Sequence, residues 1–161
     1  MPECQVIEVE AGLGGLTEDW WRLWRVAAAP PFLCPGWLLP WWRVLRPGAL
    51  RVIAVREAGR LVALAPLYLE RGRLWPVGMA LSDYLDVLID PASRQAPAAL
   101  TGCLEAMSDW QECSLEELAP QAAALRLAAG AGLTLVRTEA RPCPSWDAPG
   151  LHLVSGAGGA A

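Results

Sequence analysis

Residues 50–56 (LRVIAVR), the turn Glu57-Ala58-Gly59 and residues 60–69 (RLVALAPLYL) decide the fold of this chain. Each run has the length and the β-branched and apolar content of a strand, and a three-residue link containing glycine closes the pair as a hairpin. Pro66 lacks an N–H, so it predicts a bulge or a stretch of relaxed pairing in the second strand.

Upstream of the hairpin, residues 5–10 set Val6, Glu8 and Glu10 against Ile7 and Val9, the period of a short strand. Gly12, Gly14 and Gly15 end it. Thr17 is placed to cap a helix whose first turn carries Glu18 and Asp19, and Leu16, Trp20, Leu23, Trp24 and Ala27 follow at helical spacing. A second helix is expected from Pro35, with Trp37, Leu38, Trp41, Trp42 and Leu45 on its buried side. Pro40 implies a kink or a later start, and Pro47-Gly48 stops it.

Downstream, residues 74–77 read as a short extended piece. Residues 84–89 (YLDVLI) are nearly all apolar, as in a central strand covered on both faces. A helix is expected over 90–107, with Leu100, Leu104 and Met107 on one face, then a strand over 110–115 and a helix over 116–129 with Pro120 in its first turn. A strand at 133–139, a loop at 141–150, a last short strand at 151–154 and a frayed Gly/Ala tail at 155–161 complete the reading. The fold class is α/β, a mixed, mostly antiparallel sheet with helices on both faces in a three-layer sandwich, forming one domain over residues 1–154.

Composition narrows the function classes. With 161 residues, 54% hydrophobic and 19% charged, the chain can bury a core, so wholesale disorder is excluded. A net charge of −4 and a pI near 5.0 argue against nucleic acid or an anionic membrane as the main partner. The longest charge-free run, residues 26–42, holds Pro30, Pro31, Pro35 and Pro40 and falls short of the roughly 20 residues a membrane span needs. The N-terminus has no basic region of a secretory signal, so the expected location is cytoplasmic. Cys4, Cys34, Cys103, Cys113 and Cys143 form no CxxC pair and are odd in number, which suits buried cytosolic thiols better than a disulfide framework. His152 is the only histidine and lies in the Gly-rich tail, a poor place for a catalytic base, and no spacing suggests a metal site.

The polar candidates are Asp83, Tyr84 and Asp86. Two carboxylates beside a phenol can hold an amine or sugar hydroxyls, or act as a base. The structural alternative is that Asp83 caps a turn and Asp86 pairs with an arginine on a neighbouring strand. Among the nine tryptophans, Trp20, Trp24, Trp37 and Trp41 fit a packed helix interface, whereas Trp21 and Trp42 fall off those stripes and suit a surface contact.

The element order and several phrases resemble the GNAT-type N-acyltransferases. The phrases are residues 31–37 (PFLCPGW), 59–67 (GRLVALAPL), 82–88 (SDYLDVL) and Cys143-Pro144. Over residues 5–147 the chain resembles the N-terminal half of bacterial acetyltransferases of the cellulose-biosynthesis type, relatives of the Fem-like two-domain enzymes. The resemblance implies that acetyl-CoA or another acyl-CoA binds a second domain, expected after Cys143-Pro144 and absent here. It implies that the first domain helps form the acceptor cleft, which favours Asp83, Tyr84 and Asp86. In the family, pyrophosphate lies on a glycine-containing loop at a helix N-terminus. The matching turn, residues 89–96 (IDPASRQA), has no glycine, loses a donor at Pro91 and carries Asp90. Arg94 alone favours a phosphate, so the turn reads as an ordinary capped helix start with no cofactor. The expected function is an acyltransferase-related domain with no assignable catalytic residue. Its partner would be a separately encoded acyl-CoA-binding domain, or a second copy meeting an apolar patch at 81–86 and 143–151. A non-catalytic interaction module of the same fold, or a truncated product, is the alternative.

Overall fold

A computed structural model describes residues 1–116 and 118–127, together with Thr134 and Val136. Six strands form one sheet: β1 (Glu3–Ile7), β2 (Ala49–Glu57), β3 (Arg60–Glu70), β4 (Arg73–Pro76), β5 (Leu88–Ile89) and β6 (Glu112–Cys113). The order is β1-β2-β3-β4-β6, with β5 paired to β3, and every pairing is antiparallel except the parallel β4–β6 contact. The helices are α1 (Ala11–Gly14), α2 (Thr17–Val26), α3 (Pro35–Leu45) and α4 (Ala96–Ala106), with 3-10 turns at Pro31–Leu33 and Ala123–Arg126.

The hairpin is the centre of the sheet, and its side chains divide between two cores. Leu50, Val52 and Ala54 of β2 with Leu61, Leu64 and Tyr68 of β3 meet Trp20 and Leu23 of α2 and Leu38, Trp41 and Trp42 of α3. Ile53, Val55, Ala63, Ala65 and Leu67 point the other way, onto Ala96, Leu100, Cys103 and Leu104 of α4. Helices therefore cover both faces, as the apolar content of the two strands requires.

Pairing of β2 and β3 is interrupted once. Val55 faces Ala63 while Arg56 faces Leu61, so Val62 is an extra residue on β3. The bulge frees two carbonyls for distant partners: Val62 O accepts from Asp90 N at 2.8 Å and Leu61 O from Arg22 Nη2 at 2.7 Å. Pro66, where irregularity was expected, pairs in register with Val52. Its missing N–H does no harm, because β4 pairing stops at Leu67 and β5 pairing begins at Leu64. Pro66 O still accepts from Val77 N at 2.8 Å.

Several boundaries differ from the sequence reading. The 84–89 strand shrinks to Leu88–Ile89, since Tyr84 sits at φ +54°, outside extended geometry. The first strand occupies Glu3–Ile7, and the chain turns at residues 8–10 into α1. Thr17 caps nothing, because its Oγ1 donates to Leu13 O at 3.0 Å. Helix α3 runs through Pro40, which lies on an exposed face four residues after exposed Gly36, whose carbonyl water can satisfy. The helix expected over 90–107 starts only at Ala96, and the strand over 110–115 is limited to Glu112–Cys113. Of the helix expected over 116–129, the described residues form one 3-10 turn, Ala123–Arg126, preceded by a turn at Pro120-Gln121. The elements expected at 133–139, 141–150 and 151–154, the 155–161 tail, Cys143 and His152 lie outside the described residues, apart from Thr134 and Val136.

Two expectations about buried groups are corrected. Cys4 and Cys103 form a disulfide across 99 residues, so a sequence of unpaired cytosolic thiols is not what the fold contains. Cys34 and Cys113 are free. Among the tryptophans, Trp42 is buried against Tyr68, with ring centroids 6.4 Å apart, and Trp37 is 40% exposed. The swap follows from α3 presenting Leu38, Trp41 and Trp42 to the sheet, which turns Trp37 outward.

Candidate functional site

The candidate residues lie on the segment joining β4 to β5. Those two strands flank the same edge of β3 and act as halves of one strand, Pro76 facing Leu67 and Leu88 facing Leu64. Residues 77–87 are extruded between them. Val77 and Leu85 anchor the excursion in the core beneath α3. Gly78 makes its closest approach: at φ +107°, a Cβ there would lie 2.9 Å from Leu38 Cδ2 and 3.0 Å from Leu85 Cδ2. Trp37 Nε1 donates to Ser82 Oγ at 2.8 Å, tying the tip of the excursion to α3.

The structure separates the three candidates. Asp83 is exposed and Tyr84 is 40% exposed, both at the tip. Asp86 is turned inward, where Oδ1 accepts from Val87 N and Ala124 N, each at 2.8 Å, and Oδ2 accepts from Ala123 N at 2.5 Å. Asp86 thus caps the 3-10 turn Ala123–Arg126, satisfying N–H groups that a helix start leaves open. Its partners are backbone amides, not the strand arginine expected from the sequence. Burial lifts its carboxyl above the usual carboxylate range, against the opposing pull of the Ala124, Ala123 and Val87 N–H groups and of Arg126.

A prediction follows for Asp86. Asp86→Ala should cost about 1–2 kcal/mol, the worth of a lost cap, in urea denaturation. Because the folded pKa is raised, the folded state holds the proton more tightly. The proton-linked part of its contribution is fully present below its unfolded pKa and is lost as pH rises through the folded one, whereas the cap on Ala123 and Ala124 is kept by the carboxylate. Asp86→Asn should remove that slope from denaturation midpoints measured between about pH 3 and pH 6. An unchanged slope would refute the assignment.

The turn at 89–96 is closed by its own side chains. Asp90 is 2% exposed as a residue, and its Oδ2 accepts from Arg60 Nη2 at 2.8 Å. Its Oδ1 accepts from Ala92 N at 3.0 Å, and its carbonyl from Ser93 N at 3.0 Å. Ser93 Oγ accepts from Ala96 N at 3.1 Å and donates to Glu57 Oε1 at 2.6 Å. Arg94 is exposed and lines an open hollow of about 430 Å³ with Met1, Glu57, Ser93 and Gln95. A buried carboxylate and occupied amides do not fit a pyrophosphate.

No family model, curated protein or solved structure matches this chain.

The site therefore rests on its own chemistry. Among the described residues, no group of three His, Cys, Asp or Glu side chains is placed to hold a metal ion, and no helix is long and apolar enough to cross a membrane. The sequence reading missed the aromatic neighbours of the excursion. Phe32 stands edge-on to Trp37, centroids 5.6 Å apart at 73°, while Leu81, 60% exposed, lies in the patch expected over 81–86. The phrases at 31–37 and 82–88 contained these residues, but nothing local shows that Trp37 reaches Ser82. Among the described residues, buried Trp41 Nε1 and Arg22 Nη1 have no hydrogen-bond partner.

Proposed function

We propose that this chain is the acceptor-side domain of a GNAT-type acyltransferase, a three-layer domain that does not itself bind acyl-CoA. The observation that carries the reading is the turn at 89–96. Asp90 and Ser93 occupy the N–H groups of Ala92 and Ala96, and Asp90 places a carboxylate where an anion would lie. The acceptor side is supported by the excursion at 77–87, which sets Asp83 and Tyr84 at the surface beside the Trp37–Ser82 contact. A carboxylate and a phenol there suit an amine or hydroxyl acceptor. Asp86, spent on Ala123 and Ala124, acts as a positioning residue for this excursion. Acyl-CoA would then come from another domain.

A second reading, an interaction module of the same fold, is favoured by the exposure of Leu81, Trp37 and Tyr84 on one excursion and its helix. Calorimetry with acetyl-CoA tests the first. The chain should show no saturable binding up to about millimolar concentration, against the micromolar affinities of working cofactor sites. Micromolar binding lost in Arg94→Ala would overturn it. Concentration-dependent self-association in sedimentation, abolished by Leu81→Asp, would select the interaction module.

A further inference from the structure

We propose that the Cys4–Cys103 disulfide is a thiol-exchange site, a redox latch that fastens the edge strand β1 to α4. The two cysteines differ in exposure. Cys4 is an exposed residue of the outermost strand, and Cys103, 4% exposed, belongs to the buried face of α4. Strand β1 has little else to hold it: Ile7 is its one buried residue and Val6 is half-buried, beyond a five-residue ladder to β2. The segment of β2 that it pairs with runs from Val52 to Arg56 and is buried from Val52 to Val55. The disulfide therefore secures the least buried long strand of the sheet beside a mostly apolar neighbour. Of the two described free cysteines, Cys34 is part-buried in the turn before α3, and desolvation, with Glu112 second, pushes the Cys113 thiol up to about 11, which makes it a poor nucleophile.

The reaction needs a dithiol reductant. One of its thiolates attacks Cys4 Sγ, the sulfur of the more exposed residue, and the bond to Cys103 breaks with the electron pair leaving on Cys103, which takes a proton. The second thiol of the reductant, as thiolate, then attacks the mixed disulfide and releases Cys4. The reductant ends as its own disulfide, and two electrons and two protons have passed to the chain. A monothiol stalls at the mixed disulfide, because Cys103 stays beside Cys4 and reverses the step. Reduction leaves β1 on its ladder alone and lets the β2 edge open to solvent or to another strand.

The test uses the full chain purified without reductant, alkylated under native conditions and mapped by mass spectrometry, with amide exchange measured in parallel. Cys4 and Cys103 should resist iodoacetamide until dithiothreitol is added and then label together, whereas an equal concentration of glutathione should leave most of the chain disulfide-bonded. Exchange of residues 3–7 should rise at least tenfold on reduction, and residues 60–70 should not change. Cys4→Ser, at an exposed position, should exchange like reduced wild type without any reductant. Labelling of Cys4 before reduction, resistance to dithiothreitol in the native state, equal reduction by glutathione, or unchanged exchange over 3–7 would each overturn the latch. So would wild-type protection in Cys4→Ser.

Discussion

Trp20→Ala is expected to cost about 3–5 kcal/mol, the largest single loss available in α2. Trp20 is 1% exposed, and its ring fills the core between α2 and the hairpin. Its Nε1 also donates to Leu33 O at 2.9 Å, across 13 residues and into the 3-10 turn before α3. Truncation thus opens a cavity and strips a buried carbonyl of its donor, two costs that add. A domain of this size is stable by about 5–15 kcal/mol, so the variant forfeits a large share of the total. Trp20→Phe should fall between, since it keeps much of the volume and loses only the hydrogen bond. Trp21→Ala, at a half-buried position, should cost clearly less. Urea denaturation of the three reads the order; a Trp20→Ala loss below about 1 kcal/mol would mean that α2 is not packed in this way.

Gly48→Ala comes second, at about 3 kcal/mol, the upper part of the range for overpacking. A Cβ at Gly48 would lie 2.2 Å from Leu69 O and 3.0 Å from Leu69 C. The obstacle is the backbone at the end of β3, so no rotamer change relieves it. The link from α3 to β2 must instead move away from β3, straining the Ala49–Leu69 pairing that opens the hairpin. Gly14→Ala is the control: nothing lies within 4 Å of its Cβ position, and within α1 the change should be neutral or stabilising by up to about 1 kcal/mol. Equal thermal midpoints for the two variants would remove the steric argument.

Gly48 also shows how a residue can be legible for one reason and matter for another. Pro47-Gly48 reads correctly as the stop of α3, a local property of chain stiffness and freedom. That Gly48 is squeezed by Leu69 depends on a residue 21 positions later, near the end of β3. Asp90 behaves alike. Its presence argued against a phosphate at 89–96, but its pairing with Arg60 and its hold on the Val62 bulge required the hairpin to be in place. At the candidate site, exposed Asp83 and Tyr84 were identifiable as polar residues beside a strand. The commitment of Asp86 was not, because its partners are amides 37 and 38 residues further on.

The hairpin, both long N-terminal helices and the need for cover on both faces were written into local order. Periodicity and turn residues act over a few positions, so composition within each window suffices to express them. Tertiary packing settled the rest. It cut the 84–89 strand to two residues, because Tyr84 and the anchors at Val77 and Leu85 pull that segment out of the sheet toward α3. It buried Trp42 and exposed Trp37, because the helix rotates to put its best-fitting face on Tyr68. It joined Cys4 to Cys103, 99 residues apart, because α4 packs against β1. Each of these outcomes depends on which distant surfaces meet, and a chain read window by window carries no distance between its windows.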